Sequence, residues 1–223
     1  MAVTDEAIEK IKAMILSGAL KPGDRLPKEP DLAAELGLSR NSLREAVKAL
    51  SLLNVLDVRQ GDGTYVSSLE PPHLLEALTF ILDLHRDESV LELFQVRAIL
   101  EPAAAALAAQ RMTDEQLAEL REILDRLGEN PTVEALVAND LEFHGRIAAA
   151  VGNSVLCSLI DSLSSRTARA RMWRGLTQED AVQRTIAEHR AIVEALAARD
   201  VETTRALATV HITGVAEWLR RAL

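Results

Sequence analysis

Only one cysteine, Cys157, occurs in 223 residues, so no intrachain disulfide can form. Its place in an apolar helical pattern marks it as a small core residue rather than a reactive thiol. No apolar run is long enough to span a membrane, and no basic segment followed by an apolar core opens the chain, so the expected compartment is the cytoplasm, with no membrane partner. Aromatic residues make up only 3%, while alanine and leucine abound, a balance that favours helices packed through small side chains over a β-rich fold. Lysine is absent beyond Lys48. All the others (Lys10, Lys12, Lys21, Lys28) precede it, whereas most of the acidic excess behind the net charge of −9 follows residue 68. That asymmetry excludes indiscriminate nucleic-acid binding by the whole chain and leaves a local basic face on the N-terminal part. The length and the 48% hydrophobic content suffice for two modest domains, each with its own core.

The stretch Asp31 to Leu50 reads as two short helices joined by a tight turn at Gly37, a helix-turn-helix. Its second helix has an apolar stripe (Leu43, Ala46, Val47, Leu50) opposite Arg40, Arg44 and Lys48, which recur every fourth residue. Ser39 stands at the N-cap position, so free backbone N–H groups, the positive helix end and Arg40 meet a phosphate or a base edge together. Residues Leu56 to Val66 read as two strands around Gln60-Gly-Asp-Gly63, a β-hairpin that forms a wing after the recognition helix. Upstream, Thr4 to Leu20 supplies a third helix with Ile8, Ile11, Ile15 and Leu16 on one face, followed by a turn-rich connector to Pro27.

With Gly23-Asp-Arg-Leu-Pro27, Glu29, Leu32-Ala33, Gly37, Ser39-Arg40, Leu43-Arg44-Glu45-Ala46, Leu50 and Gln60-Gly-Asp-Gly-Thr64, most of residues 4 to 67 resembles the winged helix-turn-helix of the GntR family of bacterial transcription regulators. The resemblance implies DNA contacts from Arg40, Asn41, Ser42 and Arg44, with Gln60 and Gly61 at the minor groove. Two positions depart from the family pattern. Lys28 stands where a small hydroxyl residue usually caps the first helix of the motif. Pro30 replaces a polar or charged residue; it is tolerated in a first turn, but it removes one side-chain contact to DNA.

Ser67 to Pro72, with two consecutive prolines, is a stiff linker, so the expected domains are residues 1–68 and 73–223 with 69–72 between them. The second domain shows no strand pattern, repeat or low-complexity segment. Helical periodicity covers roughly residues 73–86, 89–111, 114–127, 132–151, 154–174, 178–198 and 200–221. The fold class is therefore mainly α: a winged helix-turn-helix followed by an all-α bundle of about seven helices.

Polar residues inside the apolar stripes are the informative ones. Asp140 and His144 are spaced i, i+4 within the stripe of Val137, Leu141 and Ile147. His189 sits among Ile186, Val193 and Leu196, and His211 among Leu207, Val210 and Val215. The last two helices turn near Arg199-Asp200, about midway between His189 and His211, so an antiparallel hairpin sets both at one height. Three imidazoles and a carboxylate then converge, a set that suits Zn²⁺, Ni²⁺, Mn²⁺ or Fe²⁺ better than Ca²⁺. A hydrogen-bonded cluster of core histidines is the alternative. His73 and His85 show no such convergence and read as solvated.

Residues 73 to 221 resemble the FCD-type effector domain of FadR-like GntR regulators, most specifically in Asp140-x-x-x-His144 with His189 and His211. That resemblance implies a divalent metal on those four residues, zinc with nickel or manganese as alternatives, whose coordination an effector carboxylate completes. Arg97 lies in the stripe of Leu93 and Leu100 and reads either as the fork that grips the effector or as an ion pair with Glu101. Thr185, one turn before His189, and Trp173 with Arg169 are further pocket candidates.

The expected function is a non-enzymatic, homodimeric, ligand-responsive repressor that binds a palindromic double-stranded DNA operator and a small hydroxy acid or sugar acid. A regulator with a metal-free organic pocket is one alternative. A metal-dependent hydrolase is the other, although no HExxH-like or nucleophile-histidine arrangement is present.

Overall fold

The computed structural model describes residues 3–69 and 89–223, and the chain divides into two compact units, 1–83 and 84–223. Linker residues 70–72 and the helix expected over 73–86, with His73 and His85, lie outside the described residues.

In the first unit, α1 (Val3–Leu16), α2 (Glu29–Leu36) and α3 (Arg40–Leu52) precede a hairpin of β1 (Leu56–Arg59) and β2 (Gly63–Val66). The strands pair antiparallel with Leu56 opposite Val66 and Arg59 opposite Gly63. Ala7, Ile11, Leu32, Leu43, Ala46 and Leu50 form the centre of one apolar core. Helix α1 ends four residues before the expected Leu20, and Leu16 at its end is exposed rather than buried. Lys28 provides no side-chain cap to α2, while Pro30 sits in its first turn, where its missing N–H is not needed.

Gly37 sets the turn of the motif. At φ 65° it ends α2 in the left-handed region, with Gly37 N–H donating to the Ala34 carbonyl and Leu38 N–H to the Ala33 carbonyl, the pairing of a Schellman cap. A Cβ there meets no neighbouring atom, so the cost of a side chain is conformational. We expect Gly37→Ala to destabilise the first unit by about 1–2 kcal/mol, measured by urea denaturation; an unchanged midpoint would contradict this account.

The second unit, among its described residues, is entirely helical: α4 (Ser89–Arg111), α5 (Asp114–Asp125), α6 (Val133–Ala150), α7 (Ser154–Arg166), α8 (Ala168–Thr177), α9 (Ala181–Ala197) and α10 (Val201–Ala222). Most of these helices start on caps that the sequence spells out, including the Thr113–Gln116 capping box, Thr132, Asn153 and Asp200. Helix α4 packs most extensively along α10, and α6 lies against α4, α5, α7 and α8. Phe143, Leu120, Ile192 and Leu196 are fully buried at the centre of the core.

The helix expected over 154–174 is two helices. Thr167 interrupts it at φ −86°, ψ 0°, and its hydroxyl bonds back to the carbonyls of Leu163 and Ser164 at 3.0 and 3.1 Å. A buried hydroxyl that competes in this way for turn carbonyls bends a helix. The break turns α8 across α6, where Gly175 lies so close to Val133 that a Cβ would come within 2.5 Å of its Cγ1.

Candidate metal centre and DNA-binding face

Helix α6 carries Asp140 and His144, α9 carries His189 and α10 carries His211; all four are at least nine-tenths buried. One ligand atom from each lies within 4.8 Å of all the others. The Nε2 atoms of His144 and His189 each stand 3.2 Å from His211 Nε2. Asp140 Oδ1 is 3.7, 3.4 and 3.8 Å from the Nε2 atoms of His144, His189 and His211. Zinc bonds of about 2.0–2.1 Å place tetrahedral ligand atoms roughly 3.3–3.4 Å apart, so these edges match the span of a first-row divalent ion.

The chemistry of the donors fits as well. His144 Nδ1 lies 2.8 Å from Glu101 Oε2, and His211 Nδ1 lies 2.8 Å from Glu188 Oε2. Carboxylates only accept, so each Nδ1 is the protonated atom and, in the neutral ring, each Nε2 is a lone pair. Burial pushes His211 down to about 4, further than its bond to Glu188 raises it, and drives His189 well below its usual value. Both rings are therefore neutral at pH 7, the state a metal ligand requires. The His144 and His211 lone pairs and the Asp140 oxygen, crowded at 3.2–3.8 Å, repel one another unless a cation, or a proton on His189 Nε2, lies among them.

The outer oxygen of Asp140, Oδ2, is paired with Arg171, which also donates to the Ser164 carbonyl. Burial, reinforced by the nearby Arg97 charge, pushes Arg171 down to about 9, so it remains a cation at neutral pH. A cavity of about 20 Å³ lies here, lined by Asp140, His211, Arg171, Arg174 and Thr185 among others.

Arg97 takes the structural alternative. Its Nε and Nη2 donate to Glu101 at 2.5 and 3.3 Å and its Nη1 to Thr167 Oγ1 at 2.7 Å, and only 1% of it is exposed. The fork expected to grip an effector is thus already filled. Burial raises the Glu101 carboxyl, but His144 and Arg97 outweigh it and hold the group well below the usual carboxylate range. Trp173 does not line the cavity; it packs edge-on against Trp218 with ring centres 4.9 Å apart and is 40% exposed. Arg169 is exposed. Thr185 does line the cavity. Arg171, Arg174 and Glu188 were missed by the sequence reading. The only signal for the two arginines was their place in an arginine-rich run from Arg166 to Arg174, and nothing marked Glu188 apart from other helix-surface acids.

On the first unit, Ser39 Oγ accepts from the Ser42 N–H at 3.1 Å and lies 2.8 Å from Ser42 Oγ, so the two hydroxyls fix the start of α3. Arg40 and Asn41 are exposed there, and Arg44 Nε rests 2.9 Å from Glu29. Gln60 and Gly61 are exposed at the hairpin tip, Gly61 at φ 79°. At the wing, the Arg59 guanidinium lies over the Tyr65 ring at 4.1 Å.

Comparison with known proteins agrees with this architecture. The FCD domain model matches residues 92–214, and the model described as bacterial regulatory proteins, gntR family, matches residues 3–66. The chain is a GntR-family transcription regulator with an FCD domain. This GntR regulator is 34% identical to the HTH-type transcriptional regulator LutR of Bacillus subtilis, over 92% of this chain and 96% of LutR. It is 29% identical to the galactonate operon transcriptional repressor of Escherichia coli, over 94% and 93% of the two chains. Among solved structures, Streptococcus agalactiae GntR superposes with a TM-score of 0.70 at 28% identity, covering 96% of this chain and 99% of that one. The matched domains and relatives are transcription regulators rather than enzymes, and nothing in them supports the hydrolase alternative. No helix among the described residues is long and apolar enough to cross a membrane.

Proposed function

We propose that this GntR regulator is a homodimeric repressor whose FCD domain binds a divalent ion, zinc or alternatively nickel or manganese, and a small hydroxy acid or sugar acid that releases it from DNA. The observation that carries this reading is the convergence of three imidazole Nε2 atoms and one carboxylate oxygen in a buried cluster beside two arginines. Residues 1–68 serve as the DNA-binding domain, 69–72 as the linker and 73–223 as the effector and dimerisation domain. A two-fold dimer sets one α3 helix into each half of a palindromic operator, with Arg40, Asn41, Ser42 and Arg44 at the major groove and Gln60 and Gly61 at the minor groove. Access to operator DNA places the regulator in the bacterial cytoplasm.

Asp140, His144, His189 and His211 would hold the ion, which supplies a Lewis-acid site for a carboxylate oxygen. Arg174 offers its guanidinium to that carboxylate and Thr185 a hydroxyl to its neighbouring oxygens, while Arg171, committed to Asp140 and Ser164, holds the carboxylate ligand in place. Arg97, filled by Glu101, and Trp173, turned to Trp218, do not take part. A cavity near 20 Å³ holds about one water, so an effector enters only as α8 moves, and such movement is a response that a linker can transmit. The name of one relative, the galactonate operon repressor, concerns a sugar acid and a repressor.

The test uses an operator selected from random duplex DNA and read by fluorescence anisotropy. With metal-loaded protein, one or more aldonic or hydroxy acids should weaken binding about 5- to 150-fold, the usual range of allosteric coupling, and metal removal should abolish the effect. If no such acid changes DNA affinity or thermal stability, the effector reading fails.

A further inference from the structure

We infer that Glu101 and Glu188 are positioning residues of the Asp140, His144, His189 and His211 centre, each holding the Nδ1 proton of one histidine so that its Nε2 lone pair faces the ion. This rests on the metal reading and deepens it by naming the residues that prepare the ligands.

The two contacts are alike. Glu101 on α4 reaches His144 Nδ1 and Glu188 on α9 reaches His211 Nδ1, both at 2.8 Å. In both rings the opposite nitrogen then points to the same spot, where the two Nε2 atoms are 3.2 Å apart. Core histidines that needed only one polar partner would have no reason to aim their second nitrogen at each other. A carboxylate on the outer nitrogen fixes the tautomer and ring orientation and makes the inner nitrogen a stronger donor to a cation.

Glu101 is itself held, since Arg97 clamps both its oxygens and Thr167 accepts from Arg97 at the α7–α8 break. The buried Arg97 therefore serves the centre through Glu101. His189 is oriented differently: among the described residues no group bonds its Nδ1, and its ring stacks on Phe143 at 4.2 Å with planes 15° apart.

The decisive variant is Glu188→Gln, because Glu188 is 22% exposed and the amide keeps the shape of the side chain. Zn²⁺ affinity is measured by competition with a chromophoric chelator, beside wild type and Glu101→Gln, with folding followed by circular dichroism. Glu188→Gln should bind Zn²⁺ about 10- to 100-fold more weakly, the range for outer partners of metal-bound histidines. Nitrogen-15 spectra of the metal-free imidazoles should show His211 protonated on Nδ1 in wild type and a gain of the Nε2-protonated form in the variant. Glu101→Gln should weaken binding similarly; if it unfolds, Glu188→Gln alone decides. A folded Glu188→Gln that binds Zn²⁺ within twofold of wild type, with the same tautomer, overturns the inference and leaves the metal reading standing. A wild type that takes up no Zn²⁺ overturns both.

Discussion

Wild-type protein purified without chelators should carry about one divalent ion per chain at a four-residue site, and protein with both His144→Ala and His189→Ala should retain none. Both side chains sit within the converging cluster, so the double variant leaves one imidazole and one carboxylate, too few donors for a stable protein site. Elemental mass spectrometry reads the difference directly. Thermal denaturation reads it a second way, because an ion present at roughly a thousand times its Kd stabilises the folded state by about 4 kcal/mol, a gain that the variant should lack. Circular dichroism of the variant separates loss of the ion from loss of the fold. Wild-type protein that holds no ion even after incubation with Zn²⁺, Ni²⁺ or Mn²⁺ would sink the metal reading. The DNA-binding assignment would stand, because it rests on the first unit and the family match.

The second large effect belongs to the recognition helix. Arg44→Ala should lower operator affinity by about 1–3 kcal/mol for each half-site, the value of one good base contact, and hence by roughly 2–6 kcal/mol for a two-fold dimer. Arg44 is 61% exposed and rests against Glu29 in the free protein, an exposed pair worth about 1 kcal/mol or less. Giving up that pair for DNA is therefore cheap, and removing the arginine should leave the fold intact. Arg40→Ala, at the exposed start of α3, should instead act across all sequences and reduce the salt dependence of binding by about one unit of slope for each half-site, hence about two for a two-fold dimer. Neither variant should change the metal content. Operator affinity of Arg44→Ala within twofold of wild type would remove this residue from the interface.

The helix-turn-helix was legible because its determinants are local: Gly37 ends one helix, Ser39 caps the next, and Leu43, Ala46 and Leu50 recur at helical spacing. The wing was legible for the same reason, from glycines between two short alternating runs. The break at Thr167 was not, since an isolated threonine is compatible with a helix until its hydroxyl is buried against Arg97 and the turn carbonyls. Arg97 itself left two readings open. Its i, i+4 spacing to Glu101 allowed the pair, but only the packing of α4 against α6 and α7 shows both groups buried and committed to each other.

Two pairs of the candidate centre were legible in the sequence, Asp140 with His144 from i, i+4 register and His189 with His211 from their near-equal distance to one turn, whereas the meeting of the two pairs was decided by the tertiary structure. Which nitrogen of each ring faces inward, which carboxylates hold the outer ones and which arginines border the cavity were decided by the tertiary structure. Those contacts join residues such as Glu188 to His211 and Arg171 to Asp140 across different helices, and they depend on the rotation of each helix about its axis, which long-range packing alone sets.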